Sequence, residues 1–188
     1  MTSELTDLFD PFPSLNLSKA NKALYKSFSY TEPQLVSLAD NSTENCEQEV
    51  LVLHENEPLG MVSVVIQDNN RKASLPNKYA RLDLVIVDKK YRNLGIGRLL
   101  MVCSLVYLLR TRSKQLYSIS CLAAHQSVEK NLKQLSFTGS EKKEKNFWQG
   151  SIDLESKNPE SLLEYYLKFS KNCLQWTAYK LNQKIKQA

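Results

Sequence analysis

The chain reads as an α/β fold with a mixed central sheet flanked by helices, plus an extra long helix at the C-terminus. Three observations predict it. Runs rich in β-branched residues alternate with helical runs between residues 49 and 154. One run, 80–88, is apolar on both faces and so belongs in the middle of a sheet. Asn158-Pro159 then opens a helical pattern that lasts almost to Ala188.

The elements follow in order. Residues 1–17 carry Pro11 and Pro13 and no clear period, and are expected to be a loose N-terminal leader with at most one edge strand. Ser18 can cap a helix over 19–28, with Ala20, Ala23, Leu24 and Phe28 near one face. A second short helix is expected after Thr31, with Pro33 in its first turn, ending near Asp40. EVLVLH at 49–54 and GMVSVVIQ at 60–67 read as a hairpin, and 68–78 is polar. A central strand, a glycine-bearing turn and a long helix to about Arg112 come next. A strand at 116–123, a short amphipathic helix at 126–135, a charged turn region at 138–145 and a strand at 147–154 complete a domain over 18–155. Residues 156–188 form the appended helix.

That last helix carries two adjacent apolar stripes. One holds Leu162, Tyr166, Phe169, Cys173 and Trp176; the other holds Leu163, Leu167, Leu174, Ala178, Leu181 and Ile185. A face this wide packs on the chain's own domain or meets a second copy as a homodimer, with packing on the domain favoured.

Composition narrows the function classes. The 188 residues are 42% hydrophobic and 24% charged, with a formal net charge of +5. The excess is local: Lys168, Lys171, Lys180, Lys184 and Lys186 lie after Tyr165 with no acidic residue among them. The rest of the chain is near neutral, which disfavours a nucleic-acid partner. Four scattered cysteines without a CxxC pair fit a reducing compartment and argue against a metal site. The polar, acidic N-terminus is unlike a signal peptide, and the run 99–109 is too short to cross a bilayer. A cytoplasmic protein with no membrane partner is expected.

The chemistry concentrates in 82–109, LDLVIVDKKYRNLGIGRLLMVCSLVYLL. A strand runs through a polar turn into a helix, and glycines at 95 and 97 clear the helix N-terminus of side chains. Backbone N–H groups there suit a phosphate or diphosphate. A Walker A loop is excluded, because the Lys-Ser/Thr pair is missing. A dinucleotide fingerprint lacks its third glycine and its place on the first strand of its unit. A tight strand-to-helix connection with no ligand is the plainer alternative.

Arg92-Asn93-Leu94-Gly95-Ile96-Gly97, behind Val85-Ile86-Val87-Asp88-Lys89-Lys90-Tyr91, resembles the coenzyme motif of the GNAT superfamily of acyl-CoA-dependent N-acyltransferases. That family's pattern is [Q/R]xxGx[G/A] between a central strand and a long helix. The element order over residues 19–154 is similar too, so the resemblance implies a GNAT-like fold. It further implies that amides and side chains over Arg92, Asn93, Leu94, Gly95, Ile96, Gly97 and Arg98 hold the diphosphate of acetyl-CoA. The backbone of Val85, Ile86 and Val87 would pair with the pantetheine arm where the sheet splays, with an N–H near Val87 facing the thioester oxygen.

Many family members carry NxxAxxxYxxxGF after the next strand, the tyrosine protonating the leaving thiolate. Aligned on Ser136-Phe137, the asparagine position is His125, the alanine Val128, the tyrosine Leu132 and the glycine Ser136. A glutamate found near the start of the coenzyme strand in some members falls at Arg81. His125 and Asp83 are the candidate proton carriers, against a surface helix cap for His125 and an ion pair with Arg81 or Arg71 for Asp83. Cys121, among apolar neighbours, is a poor nucleophile, and His54 reads as structural. The acceptor side is expected from the first two helices, 68–79 and 138–148, bringing Tyr25, Tyr30, Tyr79, Trp148, Glu141 and Glu144.

The sequence therefore implies an N-acetyltransferase moving acetyl from acetyl-CoA to a primary amine by direct attack in a ternary complex. The alternative is a catalytically weak acyl-CoA-binding sensor or scaffold.

Overall fold

The hairpin runs become inner strands of a larger sheet. In the computed structural model, which describes residues 5–10, 12, 14–19, 46–68, 78–123, 126–142 and 147–186, seven strands form one sheet. They are β1 (Asn16–Lys19), β2 (Cys46–His54), β3 (Pro58–Asp68), β4 (Lys78–Val87), β5 (Leu116–Ala123), β6 (Thr138–Lys142) and β7 (Phe147–Asp153), in the order β1-β2-β3-β4-β5-β7-β6. All neighbours are antiparallel except β4 and β5, which are parallel. A parallel pair requires a crossover, and α1 (Ile96–Arg112) supplies it. α2 (Gln126–Gln134) follows β5, and α3 (Pro159–Ile185) follows β7. β4 takes the middle of the sheet, as its apolar faces require.

α1 is buried nearly all round: Ile96 and every residue from Leu99 to Leu109 are shielded from solvent. Such a helix needs cover on both sides. β2, β3 and β4 cover one side and α3 covers the other. The chain's own domain thereby takes the apolar face of α3. Asn158 starts α3 by accepting from the Glu160 N–H at 2.9 Å. Its buried line is Tyr166, Ser170, Cys173, Leu174, Thr177, Ala178 and Leu181. Trp176, expected on an apolar stripe, is 55% exposed instead. The helix buries a single face, and Leu162, Leu163, Leu167 and Phe169 flank it half-buried. No described helix is long and apolar enough to cross a membrane.

Three expectations change. The described leader residues are held down, not loose: Leu5, Leu8, Phe9, Leu15 and Leu17 join the core, and Asp7 pairs with Arg110 through two 3.0 Å bonds. Ser18 and Lys19 lie in β1 against Val52 and Leu51, so a helix does not start there. The hairpin recruits these two residues into a ladder in place of a local cap. The rest of that expected helix and all of the second lie outside the described residues. The charged region after Ser136 is strand β6 through Lys142, paired with β7. Its polar residues suit an edge strand, where charge discourages further pairing.

Candidate functional site

Local chemistry builds the turn after β4. Asp88 caps a short 3-10 turn, Lys89–Tyr91, its carboxylate accepting from the Lys90 N–H at 2.9 Å. Glu57, between β2 and β3, binds the Lys90 ammonium at 2.6 Å and accepts from the Tyr91 hydroxyl. The hairpin tip thus clamps the turn from one side. Asn93 and Gly95 adopt positive φ, 66° and 84°, and Gly95 caps α1 without a side chain. Left-handed residues in such a turn gather successive N–H groups into an anion-binding concavity. The turn ends at the positive pole of a 17-residue helix.

The sheet opens beside this turn. β4 and β5 pair from Lys78↔Leu116 to Leu82↔Cys121 and no further, although β4 runs on to Val87 and β5 to Ala123. The cause lies on the other edge of β4. There Ser63 pairs with Leu84 and Val64 with Leu82, so Asp83 is an extra residue in β4. A bulge bends its strand and sharpens the local twist, and here it turns the end of β4 away from β5. The Asp88 N–H bonds to Leu59 O at 3.0 Å, towards β3. By strand alternation the backbone groups of Ile86 also face β3, while those of Val85 and Val87 face the opening. Of the three coenzyme-strand residues expected from sequence, Ile86 is turned away from the opening.

The remaining predicted residues divide. Arg92 is exposed and folds back, its Nε donating to Val87 O at 3.2 Å. Arg98 gives two hydrogen bonds to Asn131 Oδ1, 3.0 and 2.7 Å, bridging α1 to α2. A Cβ on Gly97 would touch only Val87 Cγ2, at 3.5 Å. Asp83 pairs with Arg81 Nε at 2.8 Å. It also lies close enough to Cys121 to raise that thiol, whose pKa burial, the larger cause, pushes up to about 12. Cys121 is therefore unsuited to nucleophilic work. His125, Tyr25, Tyr30 and Glu144 lie outside the described residues. Tyr79 sits at the far end of β4, bonded to Gln67 and 6.2 Å from the Tyr117 ring, so it is not at the opening. Trp148 is buried on β7 opposite Ala123. Leu132 is fully buried in the core. The Tyr166 hydroxyl is spent on Leu135 O at 2.7 Å, and burial raises its pKa.

One part of the site escaped the sequence. Trp176 and Thr177 of α3 lie against the glycine turn: a Cβ on Gly95 would come within 3.1 Å of Thr177 Oγ1 and of Trp176 Cδ1. Thr177 is fully buried and its hydroxyl has no hydrogen-bond partner. The Lys184 ammonium bonds to Lys90 O. The available signal was an unshared tryptophan among lysines near the end of the last helix.

The family model described as "Acetyltransferase (GNAT) family" matches residues 7–126. The chain belongs to this family. It is a GNAT-type N-acyltransferase, and the family binds acetyl-CoA. No curated protein sequence matches this acetyltransferase closely. Solved structures share its fold at low identity. An AtaT toxin mutant bound to the C-terminus of the antitoxin AtaR and acetyl-CoA is 13% identical, covering 80% of this chain and 98% of that one, with a TM-score of 0.54. The ribosomal-protein-S18-alanine N-acetyltransferase from Escherichia coli is 15% identical, covering 74% and 94%, TM-score 0.53. Naa50 from Arabidopsis thaliana, in complex with the bisubstrate analogue CoA-Ac-MVNAL, is 14% identical, covering 74% and 99%, TM-score 0.51.

Proposed function

We propose that this GNAT acetyltransferase transfers the acetyl group of acetyl-CoA directly to a primary amine, both substrates being bound together. The observation that carries the reading is the end of the β4–β5 ladder at Leu82↔Cys121, immediately beside a turn with left-handed Asn93 and Gly95 at the start of α1. The residues present fit the coenzyme. Val85 presents its backbone groups towards the opening, where an amide-bearing pantetheine arm can pair with them, and the space over Gly97 is open to a diphosphate. The orphan Thr177 hydroxyl marks unspent hydrogen-bonding capacity at the same turn.

In the reaction the amine lone pair attacks the thioester carbonyl carbon. The C–N bond forms, the C–S bond breaks, and the ammonium proton must leave while the thiolate gains one. By the family resemblance, an N–H of β4 near Val87 is the donor that stabilises the developing oxyanion. His125 and Asp83 are the candidates for carrying protons, Asp83 through water. The protein further supplies orientation, holding both reactants at the break in the sheet.

A second reading is an acyl-CoA-binding protein with little turnover. Leu132, at the family's tyrosine position, favours it, because it leaves no hydroxyl there. Titration calorimetry with acetyl-CoA, followed by thiol release with a panel of primary amines, tests both. Binding with thiol release supports the transferase, and binding alone supports the second reading. No binding by the folded protein overturns both.

A further inference from the structure

The C-terminal half of α3 exposes an aromatic and cationic cluster beside the glycine turn. Trp176 touches the turn at Gly95 yet leaves more than half its surface in solvent. Lys180 Nζ lies 4.8 Å from the Trp176 ring centroid, and the exposed Tyr179 ring lies 6.3 Å from it. One helical turn on, Lys184 bonds to Lys90 O and sits 5.5 Å from the Tyr91 ring, over which Lys90 also sits at 5.0 Å. The carboxylate found here, Glu57, is already engaged by Lys90 and Tyr91.

We propose that Trp176, Lys180 and Lys184 of α3 form a binding site for the adenosine 3′-phosphate end of coenzyme A, which rests on the coenzyme reading above. The chemistry is complementary. Coenzyme A carries, directly beyond its diphosphate, an aromatic base and a further phosphate. A diphosphate at the N-terminus of α1 brings both next to the indole and the two ammonium groups. Tryptophan is a stacking platform for a base, and lysines are point-charge partners for a phosphate. The fully buried, unpartnered Thr177 hydroxyl between this cluster and Gly95 is a second sign that the turn and α3 serve one ligand. A second copy of the chain is a poorer occupant, because a two-fold contact would press the two lysine sets together.

The test measures affinity for coenzyme A and for 3′-dephospho-coenzyme A by calorimetry. The proteins are wild type, Trp176→Leu, Lys180→Gln and Lys180→Gln with Lys184→Gln, each checked by melting temperature and sedimentation. Wild type is expected to prefer coenzyme A by about tenfold, the scale of a charge-assisted contact. The lysine double variant should bring that ratio close to one, and Trp176→Leu should weaken both ligands about equally by 5- to 20-fold. Lys184 is exposed and Lys180 half-buried against the indole, so the ratio of the two affinities, which only the 3′-phosphate changes, is what separates charge recognition from any repacking of the turn. Wild type binding both ligands equally, or an unchanged ratio in the double variant, overturns the proposal and leaves the coenzyme reading standing. Loss of dimerisation or of single-stranded oligonucleotide binding in these variants, with coenzyme affinity intact, likewise overturns it. No coenzyme A binding by wild type removes both.

Discussion

Gly97→Glu separates the fold from the coenzyme site. Gly97 is the second residue of α1, and a side chain there meets only Val87 Cγ2, at ordinary contact distance. Replacing helical glycine gains roughly 0.5–1 kcal/mol. A carboxylate in the first turn adds about 0.3–1 kcal/mol through the helix dipole. The variant should therefore melt about 2–8 °C above wild type. Binding moves the other way. A carboxylate about 5 Å from a diphosphate is repelled by roughly 1–3 kcal/mol per charge at an effective dielectric between about 20 and 80. Two charges weaken acetyl-CoA binding by about 2–6 kcal/mol, or about 30- to 25,000-fold. Calorimetry reads the affinity and a thermal melt reads the fold, with Gly97→Ala as the size control. A folded variant binding acetyl-CoA within about threefold of wild type refutes the site. A melting point more than about 5 °C below wild type refutes the claim of open space.

Gly95→Ala should do the opposite. Its φ of 84° costs an alanine about 1–2 kcal/mol, and crowding by Trp176 and Thr177 adds about 1 kcal/mol, lowering the melting point by about 5–10 °C; a melt like wild type would show the turn is not held by α3. Acid should loosen the far end of the sheet. Asp7 is held below the ordinary carboxylate value by Arg110, and Glu47 by Lys78 with help from Arg112. For Glu49 burial pushes upward, but bonds from Tyr107, Lys19 and Arg112 outweigh it and the net direction is down. Folded values below the unfolded ones give stability that is present above about pH 4.5 and lost as pH falls through the folded values. Glu49→Gln should flatten the acid side of a plot of unfolding free energy against pH, and an unaltered slope counts against the network. His125→Ala should lower kcat with little change in KM, checked by steady-state thiol release; an unaltered kcat removes His125 from the mechanism.

The glycine turn was legible because its signals are local. Glycines at 95 and 97, an apolar strand before them and an apolar helix after them leave few backbone solutions. β6 was not legible, since a polar edge strand shows no alternation and is defined only by its partner β7. The leader was misread for a related reason: Leu5, Leu8 and Phe9 have no period, and the end of α1 and the side of α3 supply their cover. The place of Arg98 after Gly97 is a local signal, whereas its bond to Asn131 depends on where α2 lands and has none.

Residues 80–109 alone determined a central strand, a ligand-compatible turn and a helix that had to be enclosed, because hydrophobic burial and backbone sterics act over a few neighbours at a time. Tertiary structure decided which strand lay beside β4 and where it let go of that strand. The bulge at Asp83 exists only relative to β3, and the opening only relative to β5. It also decided that Trp176 faces solvent at Gly95, since one helix face can be buried against α1 and the sequence does not say at which rotation.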